Sequence, residues 1–542
     1  MQPLYSSNAG EYGPAYDLGR WITEHWTEIS AFVSDPFDIA LIAFPLVFAA
    51  VALAVTIRLG LRVLRAGRGT LFACAGEIIL GRRREKALDV VLDPPVTLRF
   101  EDRRKGGCQI VGPPGQGKTT LMLNMVLEDA AQGHTVVVIE TDGDLGLRLL
   151  PYVEPLGLTD RFFYVDPTVA GTVKWNPLEG DPERIVRQAV DTIASVSRNQ
   201  EFYKDFNEDV MRHMTKLVCA STRYFDYRPT VRTLLNFLTD VQNLEHFLEV
   251  GTDNGRVCVD APFVDGDLKV WLEQEFFAWS ERMRREYLVG LRNLLRKLLA
   301  SEPAMEVLTP REDEATLDAG KVLDSGGIVV FRVPSDVLGY VGSQTLATWF
   351  LQRFQQETIG RRTPMRPACF YLDEAHVVLG RHNTAAAESF AGWFVQVRKY
   401  NVAPHVGYQS FSQLPDPLKK VLDSSARNKL ISGGLYGDDA YHAQRLLGHT
   451  RKPETEVREL GSETLFGPAR RQRVTRTVEA PCYSVSEIED LPLTRWFFRC
   501  VRGKRQLPPT VLWAREPANP NKIRAKAPGA PGKTGKRMKS AR

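Results

Sequence analysis

Apolar residues fall into three kinds of run along this chain. Short strand-like runs, most of them rich in apolar residues, recur at 108–111, 135–139, 162–165, 328–333, 368–372, 405–409, 429–435 and 496–501. Their length and their Gly, Pro or acidic boundaries predict buried strands. Between them lie longer stretches with apolar residues at helical spacing, such as 343–358. Strands alternating with helices predict an α/β fold, with a mostly parallel central sheet covered on both faces. The pattern changes between 181 and 310. There the amphipathic stretches 183–196, 210–222, 233–241 and 286–299 follow one another with few β-branched runs, which predicts an all-α insert.

Residues 39–57 form a third kind of run, apolar throughout apart from Pro45 and Thr56. Nineteen helical residues span about 28 Å, close to the hydrocarbon thickness of a bilayer. Residues 1–38 carry six acids and a single base, Arg20, whereas Arg58, Arg62, Arg65, Arg68, Arg82, Arg83 and Arg84 follow the run. The positive-inside rule therefore predicts a single-pass transmembrane helix in the inner (cytoplasmic) membrane, with the N-terminus outside. A buried core helix leaves this charge asymmetry unexplained. A cleaved signal peptide, suggested by Ala52-Leu53-Ala54, does not fit the long acidic region before it. Aromatic and apolar residues between 10 and 34, Trp21 and Trp26 among them, have the spacing of a helix lying at the outer interface. The shorter apolar run 70–80, interrupted by Glu77, is too short to span.

Length and composition add bounds. A chain of 542 residues, 43% hydrophobic and 25% charged, is globular and too long for one ordinary domain. The net charge of +5 is uneven, because 515–542 hold nine Lys/Arg against Glu516 alone. That Pro/Gly/Ala-rich tail predicts disorder; it could bind DNA phosphates, bind anionic lipid, or only solubilise the end. The seven cysteines (Cys74, Cys108, Cys219, Cys258, Cys369, Cys482, Cys500) are scattered and form no Cys-x-x-Cys. They suggest neither a disulfide framework nor a zinc site.

The chemistry starts at Gly112-Pro113-Pro114-Gly115-Gln116-Gly117-Lys118-Thr119, followed by Thr120. This is the P-loop pattern, set between a predicted strand and a predicted helix. Its backbone N–H groups would cradle the phosphates of ATP, Lys118 would reach the β- and γ-phosphates, and the Thr119 hydroxyl would hold Mg²⁺. Such a site needs carboxylates at the end of a neighbouring strand. Asp373 and Glu374 follow the apolar run 368–372, which assigns Asp373 to the Mg²⁺ shell and Glu374 to the attacking water. Asp373-Glu374-Ala375-His376 also spells the box of a large RNA-helicase class. The 255 residues from Lys118 to Asp373 are too many for that class, and His376 reads as incidental.

Several stretches together resemble one family, the type IV secretion coupling ATPases of conjugation (TraG/TraD-like), related to the FtsK and HerA DNA-pumping motors. Beyond the P-loop and Asp373-Glu374-Ala375, these are Asn176-Pro177-Leu178, Val397-Arg398-Lys399-Tyr400-Asn401-Val402, the segment from Gly407 to Leu414 with Gln409-Ser410 and Gln413, and Gly448. The resemblance covers about 95–513. It departs from the family pattern at Glu140-Thr141-Asp142-Gly143-Asp144, where relatives often have Asp-Pro-Lys-Gly. It also shows one predicted span where many relatives have two.

The resemblance implies a RecA-like P-loop motor split into 95–180 and 311–513 around the all-α domain 181–310; hydropathy and charge add 1–38 outside the membrane, a span at 39–57, a linker at 58–94 and a basic tail at 514–542. It implies Arg398 as an arginine finger acting on a neighbouring subunit of a homo-hexamer, and Gln409 as a γ-phosphate sensor. It further implies single-stranded DNA or a relaxase–DNA complex as substrate and inner-membrane channel components as partners. A membrane docking platform for protein substrates with weak ATPase, and an FtsK/HerA-like translocase outside conjugation, remain the alternatives.

Overall fold

The computed structural model describes residues 77–83, 95–196, 201–253, 255–264, 266–362, 365–460 and 470–524. The predicted N-terminal segment 1–38, the predicted span 39–57 and the tail beyond 524 lie outside the described residues. Among the described residues, no helix is long and apolar enough to cross a membrane.

Seventeen strands are numbered in chain order. They are β1 (Glu77–Arg83), β2 (Pro95–Arg99), β3 (Cys108–Val111), β4 (Thr135–Glu140), β5 (Phe162–Val165), β6 (Val250–Asp253), β7 (Arg256–Val259), β8 (Ile328–Arg332), β9 (Ala368–Leu372), β10 (Val402–Tyr408), β11 (Asn428–Ser432), β12 (His449–Leu460), β13 (Arg470–Pro481), β14 (Arg495–Arg499), β15 (Val501–Arg502), β16 (Arg505–Gln506) and β17 (Thr510–Ala514). Eleven of them make one sheet in the order β2-β1-β17-β14-β11-β3-β10-β9-β4-β8-β5. From β11 to β5 all neighbours run parallel, as the apolar runs predict. Alternate residues of these strands feed two cores. Ile110, Val136, Val138, Cys369 and Tyr371 pack under the helix Lys118–Ala131, while Val111, Val137, Ile139, Phe370 and Leu372 join a larger core on the other face. Burial on both faces is why these strands read as continuous apolar runs.

The other edge differs from the sequence reading. β14, expected among the parallel strands, runs antiparallel to β11, and β17 and β1 continue the sheet antiparallel. β1 comes from the stretch read as a linker, and it lies between β2 and β17. At its irregularity, between Ile79 and Gly81, the Ile79 amide donates instead to Glu128 Oε2 at 2.6 Å, on the helix Lys118–Ala131. The all-α stretch also holds the small hairpin β6–β7. The long hairpin β12–β13 was not foreseen, because its residues do not alternate apolar with polar.

Helices Pro182–Val196 and Glu201–Phe225 pack on each other, and the first lies along the helix Ser335–Gly360, which is kinked at Gly339 (φ 69°). A polar seam fixes that contact: Arg184 pairs with Glu357 at 3.3 Å, and Gln188 Nε2 donates to Gln356 Oε1 at 3.1 Å. Asn176 sits where the chain enters the helical region. Its Nδ2 donates to the Pro229 carbonyl at 2.7 Å and its Oδ1 accepts from the Leu178 amide at 3.0 Å, so the Asn-Pro-Leu turn ties the two regions together.

A buried polar cluster stands behind the P-loop helix. The Arg103 guanidinium forks onto both Asp129 oxygens at 2.6 Å, and Tyr371 Oη donates to Asp129 at 2.5 Å. His405 Nδ1 lies 3.1 Å from the Phe370 carbonyl and its Nε2 lies 3.2 Å from Arg103. These partners define the neutral Nδ1–H tautomer, which donates to the carbonyl and accepts from the guanidinium. Burial opposes charge here, yet Arg103 holds the Asp129 carboxyl well below the usual range. Asp129, His134 and Cys369 have the types and spacing of metal ligands, but Arg103 already occupies both carboxylate oxygens and its charge opposes a cation.

Candidate active site

The P-loop joins the C-terminal end of β3 to the helix Lys118–Ala131. Gly112 is tied to β10 through its amide, which donates to the Tyr408 carbonyl at 3.1 Å, and a Cβ there would run into Ser432 Oγ. Gly115 and Gly117 take left-handed φ of 80° and 85°, which turns the backbone inward. No side chain caps the helix that follows. Its first amides therefore have no side-chain acceptor, which is the arrangement that binds phosphate. Thr119 lies on the first turn, beside Lys118. The neighbouring Thr120 hydroxyl accepts from Arg148 at 3.1 Å.

Asp373 and Glu374 follow β9, whose neighbours in the sheet are β4 and β10. Glu374 has left-handed backbone (φ 53°, ψ 45°), an unfavourable geometry for a residue with a Cβ and one that gathers at functional sites. Its two oxygens are held apart. Oε1 accepts from Lys118 Nζ at 2.7 Å, and Oε2 accepts from Gln409 Nε2 at 2.9 Å. Gln409 is fixed in turn, since its amide and that of Ser410 donate to Gln413 Oε1 at 3.3 and 3.2 Å. His376 Nδ1 stands 3.2 Å from Glu374 Oε2 but makes no hydrogen bond, and burial lowers its pKa, so the ring is neutral near pH 7.

Asp373 is fully buried. Its Oδ1 accepts from the Glu374 amide at 3.0 Å, while Oδ2 has no hydrogen-bond partner. Burial pushes its pKa up to about 6, against the pull of Lys118. A buried carboxylate oxygen without a partner is costly unless a cation meets it. This oxygen and the Thr119 hydroxyl are hard oxygen donors of the kind that suits Mg²⁺.

Lys118, Asp373, Glu374 and Gln409 are thus brought to one place. Arg398 is not. It is exposed on the short helix Val397–Tyr400 before β10, and Arg104 donates to its carbonyl at 3.0 Å. The P-loop and Gln409 are at the other end of β10, which the seven residues of that strand set about 20 Å away. The sequence reading missed Gln413 as the brace of Gln409. It named Glu140 only within the stretch that departs from the family pattern, yet Glu140 is also here, fully buried at the end of β4. Burial pushes its pKa up to about 7.

A parallel sheet with the P-loop on one strand and the acidic pair two strands away defines the RecA-like class of P-loop nucleotide-binding folds. Solved structures of the bacterial conjugative coupling protein TrwB share it. The unbound form of TrwBΔN70 matches at a TM-score of 0.54 and 17% identity, over 78% of this chain and 87% of that one. TrwB with the ATP analogue ADPNP matches at 0.54 and 16%, over 77% and 86%. TrwB with ADP and Mg²⁺ matches at 0.54 and 17%, over 82% and 95%. At this identity the likeness is one of fold. No protein-family model matches the chain, and no curated protein matches it in sequence.

Proposed function

We propose that this chain is a Mg²⁺-dependent ATP hydrolase, a membrane-anchored coupling protein that recruits DNA or nucleoprotein and drives it into a type IV secretion channel. The observation that carries the reading is Lys118, Glu374 and Gln409 bonded together beside the buried Asp373, on the fold of a conjugative coupling protein. TrwB has been solved in complex with ADPNP and with ADP and Mg²⁺, which supports the same ligands here.

In the mechanism, the P-loop amides and Lys118 hold the β- and γ-phosphates. Thr119 and Asp373 would hold Mg²⁺, which would supply neutralisation of phosphate charge. Lys118 must leave Glu374 to meet the phosphate, so nucleotide binding frees the carboxylate that orients and deprotonates water. Gln409 keeps Glu374 in place and would serve as the γ-phosphate sensor. Arg398, exposed at the far end of β10, would act on a neighbouring subunit's ATP in a homo-hexameric ring. The apolar run 39–57 and the arginines after it support an inner-membrane anchor.

The test is ATP turnover by the purified full chain, with and without single-stranded DNA, beside its oligomeric state. DNA-stimulated hydrolysis lost in Lys118→Ala is the expected result. Hydrolysis retained in Lys118→Ala sinks the site. Turnover and DNA affinity that are both absent from an assembled wild type favour a docking platform instead.

A further inference from the structure

Ile139 of β4 and Leu372 of β9 are paired in register, and both side chains enter the same core. The next residue on each strand, Glu140 and Asp373, therefore faces the opposite side, under the helix that starts at Lys118. Neighbouring strands are about 4.8 Å apart, so two carboxylates stand side by side at the strand ends. Both are fully buried. Glu140 Oε2 is anchored by the Gly146 amide at 2.7 Å, in the first turn of the helix Leu145–Val153, whereas Oε1 has no hydrogen-bond partner. Asp373 repeats the pattern, with Oδ1 anchored and Oδ2 without a partner. The two unpartnered oxygens converge on one spot. A Cβ placed on Gly143 would lie 3.0 Å from Glu140 Oε1 and 3.2 Å from Asp373 Oδ2. The backbone φ of Gly143 is not in the left-handed region, so what the glycine supplies is room.

Resting on the reading of this site as one for Mg–nucleotide, we propose that Glu140 and Asp373 jointly hold the divalent cation and its water shell, in a space that Gly143 keeps open. The helix cap at Glu140 Oε2 accounts for one oxygen and fixes the direction of the other. Without a cation, two like charges would be buried side by side with no neutralising partner between them, which is unfavourable. The nearest cations are committed elsewhere: Lys118 is bonded to Glu374 and Arg332 to Asp166 at 2.9 Å. Glu140 is in this reading a positioning residue for the metal, acting beside the ligand Asp373.

The test uses the full-length protein and ADPNP. Nucleotide affinity is measured by calorimetry from EDTA up to millimolar Mg²⁺, and bound Mn²⁺ is followed by electron paramagnetic resonance. Glu140→Gln keeps an acceptor for Gly146, and Gly143→Ala keeps both carboxylates but fills the space. In both, the Mg²⁺ or Mn²⁺ concentration for half-saturation rises roughly ten- to a hundredfold. An unchanged metal midpoint in both variants overturns the proposal and leaves Glu140 as a helix cap, with the ATPase reading intact. A wild type that binds no nucleotide overturns the ATPase reading itself. If Glu140→Gln does not fold, as thermal unfolding would show, Gly143→Ala alone decides.

Discussion

Lys118 and Glu374 restrain each other, and Glu374→Gln separates the two jobs that this pair combines. The bond is 2.7 Å long between a nearly buried ammonium and a carboxylate that is 13% exposed. A charge-assisted hydrogen bond contributes about 1.5–3 kcal/mol and a neutral one about 0.5–1.5 kcal/mol. Glutamine still accepts from the charged Lys118, so the variant gives up the ion pair but keeps a charge-assisted hydrogen bond, a weakening of roughly 1–1.5 kcal/mol. Because the bond must break before Lys118 can meet phosphate, that difference reappears in binding, and ATP should bind about five- to tenfold more tightly. Relief of repulsion between the carboxylate and the γ-phosphate acts in the same direction. Turnover should fall by about 10²–10⁴, the usual contribution of a group that takes a proton from the nucleophile. A fluorescent ATP analogue gives the affinity and phosphate release gives the rate, both on the full chain with Mg²⁺. Weaker binding in the variant, or turnover near the wild-type rate, would refute the assignment of Glu374 and the idea that ATP displaces it from Lys118.

Arg398→Ala should lose about 10³–10⁵ in ATP turnover and regain activity when mixed with Lys118→Ala subunits that supply Arg398; turnover measured over mixing ratios checks it, and no recovery at any ratio argues against action on a neighbour. Asp129→Asn leaves the Arg103 guanidinium buried without its counter-charge, so calorimetry should show a lower melting temperature, with a loss of roughly 3–5 kcal/mol. Acid should act through His405, whose pKa burial and Arg103 push down to about 3. The unfolded chain takes up that proton near pH 6.5 and the folded one does not. His405 thus contributes stability above about pH 6.5 that is lost as pH falls toward 3, at no more than about 1.4 kcal/mol per pH unit. His405→Phe keeps a ring against Tyr371, is less stable at neutral pH, and should show a shallower acid slope in denaturant titrations from pH 7 to 4.

What was legible in the sequence follows from how local each signal is. The parallel strands show themselves because both faces are buried, so Val136-Val137-Val138-Ile139 and Cys369-Phe370-Tyr371-Leu372 have no polar gaps. The P-loop and Asp373-Glu374 show themselves because the phosphate and metal chemistry fixes residue types at fixed spacing. The antiparallel edge does not. β1 buries Ile78 and Leu80 but ends in Gly81-Arg82-Arg83, and its partner β17 lies over 400 residues away, so no short window holds the pair. The hairpin β12–β13 has no apolar face to betray it. Within the site, Gln413 was missed because its role is to accept two backbone amides, and Glu140 because its importance comes from register with β9 rather than from its neighbours in sequence.

The position of β1 has a mechanical consequence. A pull on the chain before Glu77, directed along the strand, is resisted in shear by the bonds to β2 and β17 together rather than one at a time. The Ile79 amide is held by Glu128, near the end of the fourteen-residue helix whose first residue is Lys118. That helix is about 20 Å of stiff rod. Tension arriving at β1 is therefore borne by the same helix that carries Lys118 at its other end.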